Sequence, residues 1–326
     1  MSARPAAAPA RFTKLALPLV LFAALGASDA ARAGIPTFCE RANEASAADQ
    51  DRMLRFAGAV KQELARSGAG VALVARAGLD LSRFGLLYSH AGIALKDNPG
   101  GPWAVRQLYY ACDESRPRLF DQGMAGFVFG ADAPGRGHVA LLFPPAAESG
   151  QLEQAALDRR RALALLAGRY SANAYAFGTR YQNCNQWVAE MIASAWGRLD
   201  GGPGGQSGGE LGGQPAGADA PREQAQAWLR EHGYQAGPVK VPSHWMMFAG
   251  QFVPLVHVGD HPVEDIHALA LRVSVPDSIE DFVRRQAPGT RRVELCHDGR
   301  HIVVHRGWEK LGAGCEPMAG DEVIAF

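Results

Sequence analysis

Residues 201–221 constrain this chain more than any other stretch. They are glycine-rich and polar, with paired glycines beginning at 201, 204, 208 and 212, and they carry no apolar period from which a helix or strand could bury a face. They read as a flexible linker or surface loop. A fold must therefore be assembled from what lies on either side, residues 34–200 and residues 222–326. The 326 residues are 47% hydrophobic and 20% charged, enough apolar material for a real core in one or two domains. The 33 basic and 33 acidic side chains balance, so the basic footprint that a phosphate backbone demands is missing and no nucleic-acid partner is expected.

Residues 1–33 read as a secretory signal peptide. Arg4, Arg11 and Lys14 precede an apolar run over residues 15–27, and Ala31-Arg32-Ala33 offers a small-x-small cleavage site before Gly34. The run spans 13 residues and contains Pro18, too short for a bilayer, which needs about 20. The expected mature chain is periplasmic or secreted, has no membrane span, and carries a net charge of −3. Export permits disulfides. Pairing by sequence region joins Cys39 with Cys112 and Cys296 with Cys315 and leaves Cys184 free, although four cysteines admit three connectivities and all five could instead stay reduced.

Residues 40–67 place Met53, Phe56, Ala57, Val60 and Leu64 at helical spacing, one buried stripe ending at Gly68. Short apolar runs at 71–75 and 86–95 have strand length, and the second continues through Pro99-Gly100-Gly101-Pro102 into residues 103–112 as a hairpin. A strand is expected at 138–143, a helix over 146–166, and a second helix from near Cys184. Beyond the glycine-rich stretch the pattern predicts a helix at 223–231 and strands at 269–275, 293–296 and 302–305. Ser278 and Asp281 suggest a capping box, and Asp298-Gly299 a hairpin turn. The last hundred residues read as an α+β module or an extension of the first domain.

The chemistry concentrates in Tyr181-Gln182-Asn183-Cys184-Asn185-Gln186-Trp187. Val188, Met191, Ile192 and Ala195 make a helical stripe, with Asn183 as N-cap and Gln186 as its reciprocal partner, so Cys184 falls in the first helical turn. Unpaired N–H groups and the helix dipole favour an anion there, and a lowered thiol pKa is expected. A packed structural cysteine is the competing reading. The required base is His90, set in an otherwise apolar strand where an unpartnered imidazole is costly. Folding the hairpin about the midpoint of Asn98 and Pro99 puts Gln107 directly opposite His90, able to orient the ring.

The Ser89-His90-Ala91-Gly92-Ile93 strand followed much later by an Asn183-Cys184 helix resembles the circularly permuted branch of the papain-like, NlpC-type superfamily, over residues 71–196. The stretch from Thr179 to Trp187 is similar, more narrowly, to a family of exported bacterial proteins known only as a domain of unknown function. The superfamily resemblance implies an α+β fold with an antiparallel sheet packed on a cysteine-bearing helix, here followed by an α+β C-terminal extension. It implies hydrolysis of amide bonds or acyl transfer, with Cys184 matching the nucleophile and His90 the base. Gln107 departs from a position that is often histidine.

The Cys184 N–H is the default oxyanion donor, with Gln182 and Tyr88 as further candidates. No cofactor or metal is expected: Cys296, His297, His301 and His305 lack finger or zincin spacing, and His257, His261 and His267 are scattered. Residues 245–248 read as core rather than as a lipid-facing wedge. The expected function is an exported cysteine hydrolase acting on cell-wall peptides. The alternatives are a lipid acyltransferase or thioesterase and a non-catalytic envelope binding or assembly protein on the same scaffold. Oligomeric state is not readable.

Overall fold

The structure is a computed structural model that describes residues 45–130, 135–199 and 219–326. The expected signal at 1–33, Cys39 and nearly all of the glycine-rich stretch lie outside the described residues. In chain order the elements are α1 (Ala47–Arg66), β1 (Val71–Arg76), β2 (His90–Leu95), β3 (Ala104–Ala111), β4 (Arg116–Gln122), α2 (Met124–Phe129), β5 (Gly137–Phe143), α3 (Ala146–Leu157), α4 (Arg159–Ala164) and α5 (Cys184–Trp196). Then come α6 (Ala220–Glu231), β6 (Gly237–Lys240), α7 (His244–Gly250), α8 (Val263–His267), β7 (Ala270–Val273), α9 (Pro276–Gln286), β8 (Arg291–His297), β9 (His301–Arg306) and β10 (Glu322–Ala325).

The fold is mixed α+β. Eight strands form one antiparallel sheet in the order β10-β9-β8-β5-β1-β2-β3-β4, and β6 pairs with β7 in a small second sheet. Strand alternation sends Ala72, Val74, Ala94 and Val105 to a face covered by α1 and α2. Val71, Leu73, Ala91, Ile93 and Leu95 go to the opposite face, covered by α3, α5, α6 and α9. A sheet buried on both sides explains why β2 is apolar after His90 instead of alternating with polar residues. Through β8 on β5, the C-terminal segment supplies three strands to the sheet that residues 71–143 begin.

The expected α1 stripe is buried at all five positions, with Ser46 Oγ capping the helix by accepting from Asp49 N–H. Three expectations change. The 146–166 helix is two helices, because the Asp158 carboxylate accepts from Arg160 and Arg161 N–H and starts a new one. Ser278 is not the N-cap but the third residue of its helix: α9 begins at Pro276 after N-cap Val275, and Ser278 Oγ accepts from the Val275 N–H and from Gly237 N–H at 2.9 Å. Of residues 245–248 only Met247 enters a core, and Trp245 and Phe248 are exposed. The Asp298-Gly299 turn forms, with Gly299 at φ 87°, a left-handed conformation that glycine adopts without a Cβ clash.

Cys296 and Cys315 are joined by a disulfide and Cys184 is free and buried. Cys112 is disulfide-bonded as well, and its expected partner lies outside the described residues. No described helix is long and apolar enough to cross a membrane.

A candidate thiol site at the open end of a strand pair

α5 begins as its sequence predicts. Asn183 Oδ1 accepts from Gln186 N–H at 2.7 Å, which places Cys184 in the first turn. The other half of the expected box is absent. Gln186 Nε2 turns away and donates to the carbonyls of Tyr175, Ala176 and Gly178, holding the approach segment against the helix.

His90 and Gln107 meet: His90 Nε2 lies 2.5 Å from Gln107 Oε1, and Gln107 Nε2 donates to Gln122 Oε1 at 2.6 Å. An amide oxygen can only accept, so the imidazole proton sits on Nε2 and Nδ1 is the basic nitrogen. The register that achieves this differs from the expected one. Ile93 pairs with Arg106 and Leu95 with Ala104, which aligns Gly92, not His90, with Gln107. The connection is longer than expected: Leu95 pairs with Ala104 where the expected register puts it opposite Pro102, and Trp103, at φ 62°, closes the turn by donating its N–H to Leu95 O. Because the slip is two residues, Gln107 keeps its face and reaches His90 diagonally. Gly92 makes room, since a Cβ there would meet Val105 Cγ1 at 2.5 Å and Gln107 Cβ at 3.3 Å.

The thiol and the imidazole come to β2 from opposite faces. The His90 ring packs between Phe127 of α2 and Tyr109, 5.9 Å from each centroid. Cys184 belongs to the core on the α5 face, beside Ala91. The β2–β3 ladder stops at the Ile93–Arg106 pair, and beyond it the backbone N–H of Ala91 acts on the Cys184 sulfur along with those of Cys184 and Asn185. No hydrogen bond joins Cys184 to His90.

Both groups are neutral at rest. Burial pushes the Cys184 thiol up to about 11, against the three N–H groups and the positive charge of Arg76. Burial also pushes His90 down to about 3, with Arg76 adding repulsion and Gln107 opposing the fall. The lowered thiol pKa expected at a helix start is thus overturned, because desolvation outweighs the helix terminus.

The two further oxyanion candidates are engaged elsewhere. Gln182 Nε2 donates to Leu165 O at 2.8 Å and to Glu190 Oε2 at 2.6 Å, while its Oε1 accepts from Ala167 N–H. The buried Tyr88 hydroxyl donates to Glu294. Sequence reading missed three neighbours. Arg76 pairs with His90 across β1–β2 and donates to Gly130 O. Asn185 Nδ2 donates to Ser89 O at 3.3 Å, while its buried Oδ1 has no partner. Tyr170 lies close enough for a Cys184 thiolate to oppose loss of its phenolic proton. Arg76 had a signal, a lone cation ending an apolar run, whereas Tyr170 and the pairing of β1 with β2 had none. A cleft of about 310 Å³ opens beside Arg76, Gln107, Tyr109, Phe120 and Gln122.

A family described as "Uncharacterized protein conserved in bacteria (DUF2145)" matches residues 63–283. The chain belongs to that family. The DUF2145 region contains His90, Gln107 and Cys184 and ends before β8, so three strands of the main sheet lie beyond it. Comparison of this DUF2145 chain with curated proteins and with solved structures found no match.

Proposed function

We propose that this DUF2145 chain is an exported thiol-dependent acyl hydrolase on a permuted papain-like scaffold, with Cys184 as nucleophile, His90 as base and Gln107 as positioning residue. The observation that carries the reading is the His90–Gln107 bond, which selects the tautomer whose Nδ1 can take a proton. Cys184, on the other side of the peptide that follows His90, is the nucleophile such a base would serve.

Since thiol and imidazole are both neutral, the thiolate forms as the substrate carbonyl arrives and not beforehand. The step requires the Cys184 sulfur to swing round the open end of the strand pair to Nδ1, which takes the thiol proton as sulfur adds to the carbonyl, and the N–H groups of Cys184 and Asn185 receive the oxyanion. Collapse breaks the bond to the amine or alcohol leaving group, which departs with the proton from His90, and water then releases the acyl group by the reverse sequence. In an exported chain the available amide is cell-wall peptide, and a lipid acyl ester is the alternative substrate.

Intact-mass spectrometry after incubation with p-nitrophenyl acyl esters and cell-wall peptides tests this. An acyl adduct on Cys184 is expected, absent in C184S and slowed by roughly 10²-fold or more in H90A. A folded protein that forms no adduct with any of these substrates would overturn the proposal. The second reading, a non-catalytic envelope binding protein, is favoured by the neutral, separately held pair. It predicts that C184S keeps full biological function.

A further inference from the structure

Residues 241–259 contain no Asp, Glu, Lys or Arg, yet part of this stretch faces solvent. Trp245 is 74% exposed, Phe248 49% and Phe252 73%. The three rings touch in series along α7 and the turn after it, with centroids 5.7 Å apart for Trp245–Phe248 and 5.3 Å for Phe248–Phe252. This is a continuous aromatic ridge and not scattered surface residues. It is anchored from below by Met247, which packs with Leu271, Val273 and Val275. The segment beyond is pinned to the approach to Cys184: Leu255 O accepts from Ala172 N–H, His257 N–H donates to Asn173 Oδ1 at 2.9 Å, and the His257 ring stacks on Tyr181 at 4.5 Å.

We infer that this ridge is a membrane-docking surface that inserts its three rings into the interface of an anionic bilayer. Aromatic side chains without nearby charge suit the boundary between headgroups and acyl chains. Exposed cations at the two ends of the uncharged stretch suit the headgroups, while Asp260, the residue after it, is half-buried and accepts from Tyr175 N–H. Lys240 immediately precedes the uncharged stretch and the Arg180 guanidinium lies beside Gly259 at its end; both are exposed, and neither makes an ion pair among the described residues. The inference stands independently of any chemistry at Cys184, so C184S is expected to dock as the parent does.

The test is sedimentation of the protein with vesicles of phosphatidylcholine alone or mixed with phosphatidylglycerol. Binding to the mixed vesicles is expected, reduced about tenfold or more in W245S/F252S, whose altered residues are exposed and whose thermal midpoint is expected to match the parent. K240Q/R180Q is expected to lose the preference for phosphatidylglycerol and keep weak binding to neutral vesicles. Failure of the parent to bind either vesicle, or equal binding by W245S/F252S, overturns the inference. So does a concentration-dependent dimer of the parent that W245S/F252S abolishes, which would assign the ridge to a second copy.

Discussion

At the scale of single residues, burial governs the site more than the helix terminus does. With the Cys184 thiol pushed up to about 11, alkylation by iodoacetamide is expected to be slow at pH 7 and to rise steeply only well above pH 9, checked by the pH dependence of the rate. An ordinary midpoint near 8.5 would contradict this. His90 has the opposite consequence in acid. Its folded pKa of about 3 lies below the unfolded value of 6.5, so between those pH values the unfolded chain binds the extra proton. Stability is then fully present above pH 6.5 and falls as pH drops toward 3. His297, pushed down to about 4 mainly by burial, adds in the same direction. Denaturant titrations at pH 7 and pH 5 are expected to differ by roughly 2 kcal/mol for each of the two histidines. H90Q is expected to shrink that difference by removing about one proton from the uptake.

At the scale of elements, two contacts hold the site together. The buried Glu190 of α5 meets Arg222 of α6 at 2.9 Å and also accepts from Gln226 at 2.7 Å, joining segments on either side of the glycine-rich stretch. E190A alone is expected to cost about 3–5 kcal/mol by chemical denaturation, because it leaves a guanidinium buried without its carboxylate. Replacing both partners with apolar residues should cost less than either single change, and a double-mutant cycle checks it. G92A forces a Cβ against Val105 and Gln107, and is expected to destabilise by about 1–3 kcal/mol. It should also part Gln107 from His90, seen as a changed His90 imidazole NMR signal. Much of this scale was legible in the sequence: α1, the start of α5 and the hairpin all follow from apolar spacing and caps. The β2–β3 register was not, because it is set by the length of the connecting turn, which leaves no mark in hydrophobic alternation.

At the scale of the whole molecule, residues 291–325 close the sheet, and the Cys296–Cys315 bridge ties β8 to the segment before β10 across 19 residues. C315S is expected to cost roughly 3 kcal/mol, read as a lower thermal midpoint. The sequence by itself determined what is local: which stretches bury a stripe, where Asn183 caps a helix, and that Cys184 falls in that helix's first turn. Caps and periods act over a few residues, so they can be read without the rest of the chain. Tertiary structure alone decided that Arg76 stands opposite His90, that Gln182 and Tyr88 are committed to Glu190 and Glu294, and that thiol and imidazole reach β2 from opposite faces. Those outcomes depend on strand order and on desolvation, which arise only when segments more than a hundred residues apart pack against one another.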